Sequence, residues 1–355
     1  MTDDVTALFT GTQEVAERHR FDTARLERWM AEHVEGFRGP LSVEEFKGGQ
    51  SNPTYLVRTP GERYVLRRKP PGKLLPSAHA VDREYRVLKA LGPTPVPTPQ
   101  VHALCTDESV TGTMFYVMEY LEGRVFWNKT LPDQTPEERA AIYDSLGDAM
   151  ARLHAVDPEA VGLGDFGRPG NYFSRQIARW SKNYVASETQ KIPEMDWLID
   201  WLPNNVPPDD RTTIIHGDLQ LANTMCHPTE PRIIAILDWE LCTLGNPMGD
   251  FSYVCMPWLT DDDTKNGFRN FDLAALGIPT LEAFQAAYCK RTGFAPITDW
   301  NFYVAYNLFR SAAILQGILG RVRDGTASSD QALVLADHVR PLAEKAHAAA
   351  HGHPT

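Results

Sequence analysis

The sequence predicts an α+β protein with two lobes, a small β-rich amino-terminal lobe that carries one helix and a larger, mainly helical carboxyl-terminal lobe. With 355 residues, the chain is long enough to form more than one buried core. Short apolar runs separated by Gly and Pro turns fill residues 41–66, which is typical of strands. From residue 137 onwards, longer segments with apolar residues at helical spacing dominate, so the second lobe should be helical.

Composition and charge exclude several classes of protein. The hydrophobic fraction is 43% and the charged fraction 23%, which fits a folded soluble protein. A net charge of -11 disfavours a broad nucleic-acid-binding face, because such a face needs clustered Lys and Arg. The acidic start Met1–Asp4 is unlike a signal peptide, and no window approaches the ~20 apolar residues of a membrane span. The 5 cysteines are scattered without a C-x-x-C pair, so we expect a reduced, cytoplasmic protein without membrane or nucleic-acid partners.

The first forty residues are predicted to form a helical extension. Leu26, Trp29, Met30 and His33 recur at helical spacing, and Gly36 ends the pattern. No chemistry is visible in this segment, so residues 1–40 are treated as an extension on the outside of the first lobe.

Three strands should follow, over residues 43–46, 54–57 and 64–67. The loop Gly48–Pro53 between the first two contains two glycines, which would let backbone amides approach a phosphate without a Cβ in the way. The loop lacks a G-x-G-x-x-G pattern, so an ordinary hairpin turn explains it equally well.

A helix over residues 79–91 places an acidic side chain beside its apolar stripe. Glu84 lies three residues after Val81 and four before Leu88, and an inward-facing carboxylate needs a partner. We expect an ion pair with Arg67 on the third strand, with a solvated Glu84 at the helix edge as the alternative.

The chain is organised around Ile214–Asn223 and its continuation Ile233–Glu240. Apolar runs flank a polar turn, which predicts a strand, a loop with His216, Asp218 and Asn223, and a strand ending at Asp238. Phosphoryl transfer needs a residue that accepts the proton of the attacking hydroxyl and a Mg²⁺ that neutralises the phosphates. Kinases meet both needs with an Asp followed five positions later by an Asn, and with a second Asp downstream. Because Mg²⁺ prefers oxygen ligands and keeps several waters, these few ligands suffice.

With His216-Gly217 before it and Ile-Leu-Asp-Trp-Glu after it, this stretch resembles the motif of the aminoglycoside phosphotransferase and choline kinase-like enzymes. Gly217 replaces the catalytic-loop Arg of protein kinases, and Asp-Trp-Glu replaces Asp-Phe-Gly. The segments Gly-Gly-Gln-Ser-Asn-Pro-Thr-Tyr and Val-Leu-Arg-Arg-Lys-Pro-Pro-Gly are most similar to the phosphotransferase-like region of acyl-CoA dehydrogenase family members. The resemblance implies a bilobal protein kinase-like fold that uses ATP and Mg²⁺. Its lobes would span residues 41–121 and 122–355.

The resemblance also implies roles for individual residues. Asp218, with His216 in the same motif, would be catalytic, and Asn223 and Asp238 would hold Mg²⁺. Arg67 would contact the nucleotide phosphates, with Lys69 as the fallback. The remaining nucleotide-binding candidates belong to the glycine loop, the acid of the helix and the connection between the lobes: Gly48, Gly49, Gln50, Ser51, Asn52, Glu84, Met118, Glu119, Tyr120 and Leu121.

Three further polar residues of the second lobe have two interpretations each. Asp250 resembles the acid that holds the catalytic loop in this family, although an Asp there could simply cap a helix. Arg310 lies in an apolar helical segment, where it either pairs with an internal carboxylate or points toward the substrate. His154, at the end of a predicted helix over residues 137–154, is more consistent with a structural role than with a catalytic one.

These observations predict an ATP-dependent kinase that transfers the γ-phosphoryl group to the hydroxyl of a small molecule. A hydroxyacyl or CoA-linked acceptor should meet arginines such as Arg310, Arg321 or Arg323, whereas an aminoglycoside-like polycation should meet acidic groups. The alternative function is a nucleotide-binding pseudokinase or binding module without transfer. The replacement of the usual Lys by Arg67 favours this alternative, and the combined presence of Asp218, Asn223 and Asp238 opposes it.

Overall fold

The computed structural model describes residues 10–47, 52–72, 79–260, 267–324 and 329–353. The chain divides into two compact units. Unit 1 contains residues 1–127, 160–163 and 221–242, and unit 2 contains residues 128–159, 164–220 and 243–355. This division differs from the lobe boundaries suggested by the sequence, since residues 221–242 belong to unit 1.

Unit 1 is built on an antiparallel sheet of six strands within the described residues, in the order β1-β2-β3-β4-β6-β5. The central strands are nearly continuous apolar runs, since the sheet packs against a buried cluster that includes Trp29, Met30 and Phe115. The strand bounds are β1 Thr12–Gln13, β2 Ser42–Phe46, β3 Thr54–Arg58, β4 Arg63–Arg68, β5 Val101–Cys105 and β6 Phe115–Glu119.

The helices of unit 1 are α1 Thr23–His33, α2 Val81–Leu91 and the single turn α3 Glu108–Thr111. Asp22 caps α1 by accepting hydrogen bonds from the backbone N–H groups of Ala24 and Arg25. Helix α2 buries Val81, Leu88 and Leu91, as its spacing predicts, and lies against β5 and β6. It begins two residues later than expected, because His79 has a φ of 58° that is incompatible with a helix.

A second element of unit 1 is the hairpin of β8 Thr224–Cys226 and β9 Ile233–Ile236. The chain segment after β6 is attached to it, because the backbone groups of Arg124 and Cys226 exchange two hydrogen bonds of 2.8 Å. A 3-10 turn at Trp239–Leu241 follows β9 and contacts α2. The strand predicted to end at Asp238 therefore ends two residues earlier.

Unit 2 is mainly helical, as expected for the second lobe. Helix α4 Pro136–His154 begins with a complete capping box formed by Thr135 and Glu138. The remaining helices are α5 Tyr172–Ser187, α6 Pro193–Asn204, α7 Met248–Val254, α8 Leu273–Leu276, α9 Leu281–Thr292, α10 Trp300–Arg323 and α11 Ser329–Ala350. Helix α10 is buried along most of its length and packs against α5, α7 and α11.

Two short strands support the polar loop of unit 2. Strand β7 Thr213–Ile215, which was predicted, pairs in antiparallel fashion with β10 Thr243–Gly245, which was not. The glycine loop Gly48–Ser51 lies outside the described residues, as does the acidic run 261–263. In the part of the chain that the structure describes, no helix is both long and apolar enough to cross a membrane.

We expect Gly123→Ala to destabilise unit 1 by about 1–3 kcal/mol, the usual penalty for overpacking. A Cβ at Gly123 would lie 2.6 Å from the backbone oxygen of Cys226 and would also overlap the side chain of Met225. Urea unfolding measures the change. Gly61→Ala is the matched control, since an added Cβ there meets no atom within 4 Å. Equal unfolding midpoints for the two variants would contradict the close packing of this segment on β8.

Candidate active site

Unit 1 contains a buried ion pair between the residues that the sequence paired. The Arg67 Nε lies 2.7 Å from Glu84 Oε2, and the Glu84 side chain is 1% exposed. Asn52 Nδ2 donates a hydrogen bond of 2.8 Å to Glu84 Oε1, and the Tyr116 hydroxyl donates one of 3.2 Å to Oε2. The predicted pair is therefore present, and both oxygens of the buried carboxylate are satisfied.

The same arginine reaches a second acid in unit 1. Its Nη2 donates a hydrogen bond of 2.5 Å to Asp238 Oδ1. Burial disfavours the charged guanidinium, but Glu84, Asp238 and Glu240 more than offset this effect and raise the pKa of Arg67 above its ordinary value. Burial also raises the pKa of Glu84, while Arg67 lowers it. One permanent positive charge thus serves several carboxylates.

Asn223 and Asp238, the predicted Mg²⁺ ligands, are held by adjacent strands of the β8–β9 hairpin. The backbone N–H of Leu237 donates a hydrogen bond of 2.8 Å to the carbonyl of Asn223, immediately before β8. Asp238 has a φ of 63° in the left-handed region, which Asp tolerates better than most residues do. Its side chain is 38% exposed and can accept further partners.

This donor set fits Mg²⁺, since one carboxylate and one amide leave positions for phosphate oxygens and water. Among the described residues, no group of three or more His, Cys, Asp or Glu side chains could hold a metal. Asn223 and Asp238 offer oxygen donors, whereas transition-metal sites are rich in nitrogen and sulfur ligands.

In unit 2, the buried carboxylate of Asp250 holds the polar loop after β7. Its Oδ2 accepts a hydrogen bond of 2.6 Å from the His216 backbone N–H, and its Oδ1 accepts one of 2.8 Å from that of Gly217. His154 Nε2 lies 3.3 Å from Oδ2. Although burial raises the pKa of Asp250, the contacts with His154 and His216 outweigh it, and the pKa lies below its ordinary value.

The backbone conformation of the loop explains why a glycine occupies position 217. Gly217 has a φ of 85°, which would strain a residue with a side chain, so an Arg could occupy this position only at a cost. His216, which we placed with Asp218 among the catalytic residues, is fully buried. Its Nδ1 accepts a hydrogen bond of 3.3 Å from the Asp218 backbone N–H, which ties the two residues together.

Cationic and aromatic groups surround Asp218 within unit 2. Arg310 and Lys129 both interact electrostatically with Asp218, and the Tyr253 hydroxyl is hydrogen-bonded to its side chain. Arg310 Nη2 donates a hydrogen bond of 3.0 Å to the carbonyl of Gly217. Neither sequence-based interpretation of Arg310, a pair with an internal carboxylate or a contact with the substrate, describes this hydrogen bond to the backbone of the loop.

Residues 118–121 were predicted to contact the base of a nucleotide. Met118 and Glu119 end strand β6, and the Glu119 N–H donates a hydrogen bond of 2.8 Å to the Gln100 carbonyl. The amide of Glu119 thus has a partner within the sheet, and Tyr120 and Leu121 follow the strand. Contacts of these residues with a nucleotide base stay a prediction.

Sequence reasoning missed Tyr253 and Lys129. Tyr253 lies three residues after Asp250 on helix α7, and this spacing places both side chains on one face of the helix. That spacing was the available signal. Lys129 lies in a turn before α4, and its backbone carbonyl accepts a hydrogen bond of 2.6 Å from the Tyr143 hydroxyl. No sequence pattern indicates that Lys129 lies near Asp218.

Comparison with known proteins places this chain in a family and a fold. A family model, that of the phosphotransferase enzyme family (APH), matches residues 42–300. A Ralstonia eutropha protein, provisionally assigned as an aminoglycoside phosphotransferase, is 54% identical; its crystal structure superimposes with a TM-score of 0.87 and covers 94% of this chain and 99% of its own. APH(2")-IIa in a ternary complex with streptomycin and ATP has a similar fold, with a TM-score of 0.59 at 13% identity over 93% of this chain and 99% of its own.

Acyl-CoA dehydrogenase family member 10 from Mus musculus is 46% identical over 293 residues, which are 82% of this chain. The chain spans 27% of that protein's length and 45% of the length of mouse family member 11. The predicted family resemblance and the predicted protein kinase-like fold class are confirmed.

We expect Lys129→Met to stabilise the protein near pH 7 and to lose this advantage as the pH rises. Burial lowers the pKa of Lys129 from 10.5 to about 8, although Asp218 opposes the shift. Between these two values the unfolded chain binds the proton and the folded chain does not, so the penalty for burying the charge disappears with rising pH.

Thermal unfolding near pH 7 and near pH 10 measures the effect as a difference in Tm from the parent. Lys182→Met, at an exposed position of α5, is the matched control. A Tm difference for Lys129→Met that does not change between the two pH values would contradict the interpretation.

Proposed function

The chain belongs to the phosphotransferase enzyme family, and from this premise we propose that it transfers the γ-phosphoryl group of ATP to a hydroxyl of a small molecule. The observation that carries the proposal is the geometry of the loop after β7, in which Asp250 fixes two successive backbone amides immediately before Asp218. A base must be held in one position to act in proton transfer, and this loop is held.

The proposed chemistry needs groups that hold the nucleotide and a group that acts as the base. Arg67, Asn223 and Asp238 supply a cation and two oxygen ligands suited to Mg²⁺ and phosphates. When bound, Mg²⁺ would neutralise charge on the phosphates. Asp218 would accept the proton of the attacking hydroxyl as that oxygen forms its bond to the γ-phosphorus. The bond between the γ-phosphorus and the oxygen that bridges to the β-phosphate would break, releasing ADP.

Arg67 has the contacts expected of a residue that organises a nucleotide site. In protein kinases a Lys pairs with a helix Glu and reaches the phosphates. Arg67 pairs with Glu84 and reaches Asp238. A guanidinium presents several N–H groups in a planar fork, so it can serve a carboxylate and a phosphate oxygen together. These contacts support Arg67, rather than Lys69, as the nucleotide-binding cation.

The surroundings of Asp218 favour a hydroxyacyl acceptor over a polycation. Arg310 and Lys129 both bring positive charge to Asp218, which would repel an aminoglycoside. Trp180 and Tyr253 add apolar ring surface beside Arg310. Relatives named as acyl-CoA dehydrogenase family members agree with an acyl compound as acceptor.

We expect Asp218→Asn to reduce phosphoryl transfer by about 100-fold or more, the usual contribution of a general base, while ATP binding is retained. The measurement is ADP release with Mg²⁺, ATP and a panel of hydroxylated acceptors that includes hydroxyacyl compounds and aminoglycosides. Asp148→Asn, a carboxylate on α4 that is 38% exposed, is the matched control. Equal rates for Asp218→Asn and the parent on every acceptor would favour the nucleotide-binding pseudokinase instead.

A further inference from the structure

Three side chains from two helices hold three consecutive residues of the loop that carries Asp218. From α7, Asp250 accepts hydrogen bonds from the backbone amides of His216 and Gly217, and the Tyr253 hydroxyl forms a hydrogen bond with the side chain of Asp218. From α10, Arg310 donates to the carbonyl of Gly217. The loop thus donates two backbone amides to Asp250 and accepts hydrogen bonds from Arg310 and Tyr253. Of these contacts, those of Asp250 were anticipated from the sequence.

Arg310 and Tyr253 also support each other. The guanidinium carbon of Arg310 lies 5.1 Å from the centre of the Tyr253 ring and 6.0 Å from that of Trp180. Such stacking is favourable for a partly desolvated guanidinium. It also restricts the plane of the Tyr253 ring, and with it the direction in which the O–H bond prefers to point.

Both side chains pay a cost of burial that their contacts offset. Burial would lower the pKa of Arg310, but Tyr306, Tyr172, Tyr253 and Asp218 raise it above the ordinary value, so the group stays charged. Burial raises the pKa of Tyr253 well above its ordinary value, so its hydroxyl keeps its proton and can donate it in a hydrogen bond.

We propose that Tyr253 and Arg310 are positioning residues for the base: the Tyr253 hydroxyl donates to one oxygen of Asp218 and orients the carboxylate, while Arg310 fixes both the Tyr253 ring and the Gly217 carbonyl. This proposal rests on the proposed function of Asp218. The hydrogen bond from Tyr253 would fix the plane of the Asp218 carboxylate, and with it the directions from which its oxygens can accept a proton. A freely rotating carboxylate would spend less time in the productive orientation.

The same contacts also allow the opposite interpretation, and the experiment must distinguish the two. The Tyr253 hydroxyl could occupy the position that the acceptor hydroxyl needs, so that it blocks Asp218 rather than orienting it. Removal of the hydroxyl would then increase turnover. A positioning role requires turnover to fall.

The first test uses Tyr253→Phe and measures ATP hydrolysis to water with Mg²⁺, so that no acceptor has to be known. We expect kcat to fall about 10-fold with an unchanged KM for ATP. Loss of a donor to the carboxylate raises its pKa, so the acid limb of the kcat/KM profile should move up by about one pH unit. Among the described residues of unit 2, Arg310, Lys129 and His216 also face Asp218, and all are unchanged in this variant.

Tyr184→Phe, at a buried tyrosine of α5, is the matched control and should leave the profile unchanged. A Tyr253→Phe variant with higher turnover, or with lower turnover but an unmoved acid limb, would overturn the proposal. A merely structural role lowers the amount of active protein without moving the pH profile.

The second test compares Arg310→Lys with Arg310→Gln. A Lys retains a positive charge and a donor but no planar group for the ring, so we expect it to restore part of the activity that Gln loses. Arg179→Lys is the control, because Arg179 also stacks on Trp180, at 5.1 Å, and is exposed. Equal activity of the Lys and Gln variants would count against a role for the Arg310 charge.

The third measurement separates failure of this proposal from failure of the proposed function. If the parent protein hydrolyses no ATP, the proposed function fails, and amide hydrogen exchange of the peptide containing residues 216–218 still tests the contacts. Exchange should be faster in Arg310→Gln than in the parent and unchanged in Arg179→Lys. Unaltered exchange in Arg310→Gln would overturn the assignment whatever the activity.

Discussion

A buried carboxylate, Asp250, is the constraint on which the candidate active site depends. A charge in the interior is tolerated only if hydrogen bonds replace its lost hydration, and the loop after β7 supplies two backbone amides for this purpose. The loop therefore cannot relax without leaving the charge unsatisfied. Gly217 follows from the same constraint, because turning both amides toward Asp250 coincides with a backbone conformation that favours glycine.

The two units balance charge in different ways. In unit 1, the guanidinium of Arg67 compensates the negative charges of Glu84 and Asp238. Asn52 and Tyr116 donate further hydrogen bonds to the Glu84 carboxylate. In unit 2, Asp250 relies mainly on hydrogen bonds from the backbone and from histidine. Unit 1 thus neutralises its acids with one shared cation, whereas unit 2 satisfies its buried acid mainly with hydrogen bonds.

Much of the architecture could be predicted from the sequence, because its long elements have clear periodicity. The helix Pro136–His154 and strands β2, β3 and β4 lie close to where apolar spacing placed them. Strand β1 was missed, because it has only two residues and lies in a segment predicted to be helical. Strand β8 and strand β10, each of three residues, are too short to show a period of two.

The site was predictable only in part, for a related reason. Arg67 and Glu84 were paired correctly because a charged residue beside an apolar stripe requires a partner. Asn52 was assigned to the phosphate loop, but its amide is fully buried against Glu84, a contact across 32 positions that no local pattern encodes. The environment of Asp218 likewise depends on tertiary contacts made by Lys129 and Tyr253.

The ion pair between Arg67 and Asp238 bears on the order in which ligands can bind. Asp238 already has a counter-ion in the protein, so a divalent cation that bound this carboxylate, as we propose, would have to compete with a guanidinium. Nucleotide phosphates would offer Arg67 an alternative partner and release Asp238 for the cation. Metal and nucleotide should therefore enhance each other's affinity, a thermodynamic coupling that resides in one arginine side chain.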